Sequence, residues 1–183
     1  MKKTFTLLIM IGGLFSALQA QTALDPGQFV NTQITGPGVY TVEAGQFYAF
    51  DGEIDLTFDV TIIGPDQGWM MDVVDPPVLL GTLSADGSAR RFFELQEGGA
   101  LTVKNVLWSG ANSNGELVSD FVQNTAGVKI IIDNCILADW QSFTFRNRTK
   151  TADSLVVTNS IFVNGVRTRF SQWGGFPVRC DVA

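Results

Sequence analysis

The sequence predicts an all-β chain wound as a stacked solenoid, and two observations predict it. First, three stretches repeat one another in an eight-residue register. They are 101–108 (Leu-Thr-Val-Lys-Asn-Val-Leu-Trp), 130–137 (Ile-Ile-Ile-Asp-Asn-Cys-Ile-Leu) and 155–162 (Leu-Val-Val-Thr-Asn-Ser-Ile-Phe). The asparagines fall at Asn105, Asn134 and Asn159, in steps of 29 and 25 residues, a period suited to stacked coils. Second, each copy alternates with period 2 and is rich in Val, Ile, Leu and Thr, while no apolar run of helical period persists in the chain beyond the N-terminal leader. Three unrelated strands of an antiparallel sandwich are the alternative, and the shared register argues against them.

Within each copy the first, third and fifth residues share one face. Leu101, Val103 and Asn105 are therefore expected to point inward, and Thr102, Lys104, Ile131, Asp133, Val156 and Thr158 outward. An inward asparagine at a strand end can bond the turn and the asparagine of the next coil, so Asn105, Asn134 and Asn159 are expected to form a ladder. Further strands are read at Asp120-Phe-Val-Gln and Phe143-Thr-Phe-Arg-Asn. Upstream, Val60-Thr-Ile-Ile-Gly, Val78-Leu-Leu-Gly and Phe92-Phe-Glu-Leu read as the three sides of an earlier coil. The 41-residue step from Ile62 to Val103 exceeds one plain coil, so the excess is expected to loop out between Pro65 and Arg91, where Pro76-Pro77 and Asp86-Gly87 mark turns.

The chain opens like an export signal. Lys2 and Lys3 precede a mostly apolar stretch from Leu7 to Ala17, and Ala20 is a small residue before the expected cut. Residues 1–20 are read as a signal peptide and 21–183 as one domain of about five or six coils, secreted or held at the cell surface. No later apolar run approaches the roughly 20 residues that span a membrane. Val182 lies 27 residues beyond Leu155, so 182–183 read as the opening of another strand, and the domain as the N-terminal part of a longer solenoid. Cys135 and Cys180 are the only cysteines. Cys135 is expected to face away from the asparagine side, and both are read as free thiols.

The chain has no histidine, which removes Ser-His and Cys-His nucleophile pairs and histidine metal sites. Charge is uneven. Residues 21–133 hold four basic and fifteen acidic side chains, whereas 134–183 hold six basic and three acidic. The acidic whole disfavours nucleic acid. The basic end could attract an anionic polymer.

Several segments carry a resemblance. Gly38-Val-Tyr-Thr-Val-Glu-Ala-Gly, Asp51-Gly-Glu-Ile, Val60-Thr-Ile-Ile-Gly-Pro-Asp, Phe92-Phe-Glu-Leu-Gln-Glu-Gly-Gly-Ala-Leu-Thr-Val-Lys-Asn, Asp133-Asn-Cys and Thr158-Asn-Ser-Ile-Phe together resemble the pectate-lyase-like superfamily. The likeness runs from about Gln33 to Phe162 and is closest to secreted, uncharacterised members of bacterial polysaccharide-degradation systems. It implies a right-handed parallel β-helix, a groove along one sheet, and an acidic polysaccharide such as pectin as partner. It also implies β-elimination from a uronic acid, with a Lys or Arg base and often Ca²⁺, on outward residues of middle and later coils.

The residues nominate sites for such a partner. Arg146 and Arg148 flank Asn147 and share one face, and Arg167 and Arg169 repeat the pattern one coil on. Stacking would gather four guanidinium groups into a clamp for carboxylates or sulfates. Trp140 and Trp173 lie in loop-like segments near them and could platform a sugar ring. Asp120, Asp133 and Asp139 are calcium candidates, although no spacing marks a calcium loop. The many phenylalanines read as core filler. The catalytic residues cannot be named from the sequence, and no cofactor is evident. The second reading is a non-enzymatic adhesin or glycan-binding scaffold.

Overall fold

The computed structural model describes residues 21–81, 91–112, 115–118, 120–124, 129–141, 143–147, 153–164 and 178–181, with the side chains at 120, 123–124, 143–144, 147 and 178–181 excepted. The leader read in residues 1–20 lies outside them.

The described chain opens with strand β1 (Gln21–Ala23) and a four-residue helix α1 (Val30–Gln33). It then makes repeated circuits of three strands each. The first is β2 (Gly38–Thr41), β3 (Phe47–Phe50) and β4 (Ile54–Leu56). The second is β5 (Asp59–Ile63), β6 (Val78–Gly81) and β7 (Phe93–Leu95). The third is β8 (Ala100–Lys104), β9 (Leu107–Ser109) and β10 (Asp120–Asn124). The fourth is β11 (Lys129–Asp133), β12 (Ile136–Ala138) and β13 (Phe143–Asn147). After them come β14 (Ser154–Thr158), β15 (Ile161–Val163) and β16 (Val178–Asp181).

Each circuit gives one strand to each of three sheets. The first sheet runs β1-β2-β5-β8-β11-β14-β16, the second β3-β6-β9-β12-β15 and the third β4-β7-β10-β13. Every pairing between these strands is parallel, which removes the antiparallel sandwich. The upstream segments do form the three sides of one circuit, β5, β6 and β7. Ile62 pairs directly with Val103 across the 41-residue step. Part of the excess chain is the 64–77 loop, which carries a 3-10 turn at Met70–Asp72.

The alternation fixes what is inside. Leu101, Val103, Ile130, Ile132, Leu155 and Val157 are buried, with the residues between them half-exposed. A column of aromatic rings completes the core, running from Phe50 through Phe92, Trp108, Phe121 and Trp140 to Phe162. Adjacent rings along it lie 4.9–6.0 Å apart, and most meet edge to face, the arrangement that their quadrupoles favour. At the N-terminal end Leu24, Val30 and Ile34 are buried with this core. Helix α1 is tied to the first circuit by Asn31, whose amide exchanges two 3.0 Å bonds with the backbone of Asp51.

Three expectations are corrected. Asn105, Asn134 and Asn159 do not point into the core. Each sits just past its strand with φ of 55°, 51° and 50°, the left-handed region that asparagine tolerates best among residues with a Cβ. That residue resets the alternation, so the next positions, Val106 and Cys135, turn inward. Cys135 does face away from the asparagine, but with the asparagine outside that side is the core, so Cys135 is fully buried and not outward, and it is a free thiol. The last strand also comes earlier than the repeat predicts. Val178, not Val182, pairs with Leu155.

Candidate functional site

Where the first sheet turns into the second, successive circuits stack Gly64, Asn105, Asn134 and Asn159. Gly64 takes the place of asparagine because a Cβ there would stand 2.1 Å from the carbonyl oxygen of Asn105. One rung of the expected ladder forms, between Asn134 and Asn105, while the Asn159 amide turns to Asp133 Oδ1 instead, and the asparagines have a second task. Asn134 Nδ2 donates to Asn105 Oδ1 at 2.9 Å, and also to the carbonyl of Gly68 at 2.8 Å. Asn134 Oδ1 accepts from the Met70 amide at 2.9 Å, and Asn105 Nδ2 donates to the Gly64 carbonyl at 3.2 Å. The asparagines thus pin the 64–77 loop along the edge of the stack. At its far end the Asp75 carbonyl accepts from the Gly45 amide at 2.9 Å, and Met70 is buried.

Between this loop and the first sheet lies an open trough of about 790 Å³. Asp66, Gly68 and Trp69 form one side, and Lys104, Asp133 and Asn159 belong to the other. Trp69 is 53% exposed although its backbone neighbours are fixed by Asn134. Leaving half of a large ring in water forgoes roughly 1 kcal/mol of burial, so a pinned, exposed indole on a trough wall is an informative feature.

Asp133 faces the trough from β11. Partial burial pushes its carboxyl upward, but bonds from Thr158, Asn159 and Lys104 outweigh this and hold it below the ordinary carboxylate range. Thr158 Oγ1 donates to Oδ1 at 2.7 Å and Asn159 Nδ2 to the same oxygen at 3.1 Å, while Lys104 Nζ lies 3.4 Å from Oδ2. So engaged, Asp133 stays ionised and is a weak proton acceptor. It suits a fixed acceptor in a hydrogen-bonding surface.

A second polar region lies on the outer face of the third sheet. Asp55, Glu94, Gln123 and Arg146 are in register across β4, β7, β10 and β13. Carboxylate oxygens of Glu53, Asp55 and Glu94 lie within 4.8 Å of one another and could hold a cation. Arg91 already serves them, with Nε 2.7 Å from Glu53 Oε2 and a terminal nitrogen 3.7 Å from Glu94 Oε2.

Of the residues nominated from sequence, Arg146 is placed on this face, half-buried and partnered. Arg148, Arg167, Arg169 and Trp173 lie outside the described residues, so the four-arginine clamp does too. Trp140 is corrected. It is fully buried, its ring 5.7 Å from Phe121 and 6.0 Å from Phe162, and offers no face to a sugar. Asp139 occupies a turn at φ 60° and accepts from Ser109 Oγ at 3.3 Å, a structural duty. The Asp120 side chain lies outside the description. Trp69 was missed from sequence, although its place after a glycine in the segment expected to loop out was a usable sign. Among the described residues no helix is long and apolar enough to cross a membrane. The sequence matches no protein-family model and no curated protein.

Proposed function

We propose that this protein is an exported, right-handed parallel β-helix of the pectate-lyase-like kind that binds a polysaccharide in the trough beside Trp69. The observation that carries the reading is the exposed Trp69 on a pinned loop, lining the same trough as Lys104, Asp133 and Asn159. Sugars pack the C–H faces of their rings on aromatic planes. They present equatorial hydroxyls to carboxylates, amides and ammonium groups, and this trough offers both. The fixed loop lowers the ordering cost of binding. The repeated three-strand circuit and the family resemblance support the β-helix and the polysaccharide class. The test is retention on a glycan array by the wild-type chain and by Trp69→Ala. Retention that the variant loses supports the reading, and equal retention by both moves the site elsewhere.

The second reading is cleavage of an acidic polysaccharide by β-elimination at the outer face of the third sheet. The in-register row ending at Arg146, with three carboxylates able to hold a calcium ion, favours it. Unsaturated-uronate absorbance appearing with polygalacturonate and calcium, and lost in Arg146→Ala, is its signature. No absorbance from the wild-type chain across anionic glycans removes it.

A further inference from the structure

We infer that the trough beside Trp69 is one half of a longer cleft running along the stack, and that it takes an extended, uncharged polysaccharide chain. This inference rests on the polysaccharide reading. A second trough of about 500 Å³ lies on the side of the earlier circuits, lined by Gln21, Thr41 and Glu43, among others. Ile63 belongs to both troughs. The 65–69 segment walls both, with Pro65 and Gln67 lining one and Asp66, Gly68 and Trp69 the other.

The floor follows a single row. Ala23, Thr41, Ile63, Lys104, Asp133 and Thr158 are in register across six parallel strands, and all face outward. Thr41, Ile63, Lys104 and Asp133 line the troughs, which reach the two end strands through Gln21 and Asn159. Five strand spacings separate the row's ends, roughly 24 Å. A sugar unit in an extended chain is about as long as one spacing, so the cleft accommodates about five units in file. Charge sets the class. The lining carries Glu43, Asp66 and Asp133 against Lys104 alone, and Lys104 is paired with Asp133. A polyuronate would meet repulsion along this path, whereas an uncharged β-linked chain would meet hydroxyl partners and an indole face.

The test is calorimetric titration of the full chain with cello- and xylo-oligosaccharides, from the disaccharide to the hexasaccharide, and with oligogalacturonides of the same lengths. The expected result is affinity that climbs with uncharged-chain length and levels off near the pentasaccharide. Thr41→Trp, which fills the far floor, removes about tenfold of that gain, or about 1.4 kcal/mol. Glu43→Trp, at an exposed position, does the same should Thr41→Trp misfold. Trp69→Ala weakens every length. Affinity independent of length, or far-floor variants that bind long chains normally, overturns the continuous cleft. Tighter, Trp69-dependent binding of oligogalacturonides overturns the uncharged assignment and leaves the polysaccharide reading standing. Binding of neither series, together with no retention on a wider glycan array, removes that reading itself.

Discussion

Asn134 shows how one side chain serves backbone, ladder and site. Its left-handed φ of 51° costs most residues roughly 1–2 kcal/mol, and its amide makes three bonds, two of them to the loop that carries Trp69. Two substitutions separate these roles. Asn134→Gly keeps the backbone conformation and loses the bonds, whereas Asn134→Ala loses both. In urea unfolding, both are expected to be less stable than wild type, with Ala below Gly by about 1 kcal/mol. Equal stabilities would mean that the conformation carries no cost.

Asp133 makes stability depend on pH. Its folded carboxyl titrates below the ordinary range, so its contribution is complete above the unfolded pKa and is lost as pH falls through the folded one. Asp133→Asn should therefore flatten the fall of the urea midpoint below about pH 4 and should not change its slope near neutrality. Cys135 behaves in the opposite way. Burial pushes its thiol up to about 12, and its sulfur lies 3.3 Å from the Asp133 carbonyl. In a Cys180→Ser background it should resist a thiol reagent at about pH 8 until denaturant is added.

At the scale of elements, the strands were legible because period-2 alternation and a recurring asparagine report directly on a parallel stack. β5, β6 and β7 were readable as one circuit from their sequence alone. The direction of Asn105 and Cys135 was not, because a single left-handed residue inverts the face of everything after it, and alternation counted straight through the turn gives the wrong side. Trp140 was misread for a related reason. Its flanking residues look like a loop, but the turn feeds its ring into the aromatic column. Trp108 sits in that column with its Nε1 enclosed and without a hydrogen-bond partner. An unmet donor costs about 1–3 kcal/mol, so Trp108→Phe should change stability by less than about 1.5 kcal/mol, while Trp108→Ala should cost about 3–5 kcal/mol. The loop makes a parallel case. Gly64→Ala drives a Cβ to 2.1 Å from the Asn105 carbonyl, so it should both destabilise the fold and displace the Trp69 loop. Tryptophan quenching by acrylamide would register the displacement.

At the scale of the molecule, the three sheets divide the surface into different chemistries. The edge between the first and second sheets carries the pinned loop and the trough. The third sheet carries the charged row from Asp55 to Arg146. Of the six basic residues in the last third of the chain, Arg146 is the one whose side chain is among those described, and it lies on the third sheet, away from the trough. The trough is mainly built from the acidic part, Asp66 and Asp133 included. The pinning of Trp69 comes from contacts between residues up to 66 positions apart, such as Asn134 with Gly68, and no local pattern encodes them.

Whether Trp69 seats a sugar is decided by a crystal structure of the protein soaked with xylopentaose or cellopentaose. The expected result is a sugar ring stacked on Trp69, with hydroxyls within hydrogen-bond reach of Lys104, Asp133 or Asn159. An oligosaccharide seated instead on the third sheet beside Arg146, with the Trp69 trough empty, would contradict it.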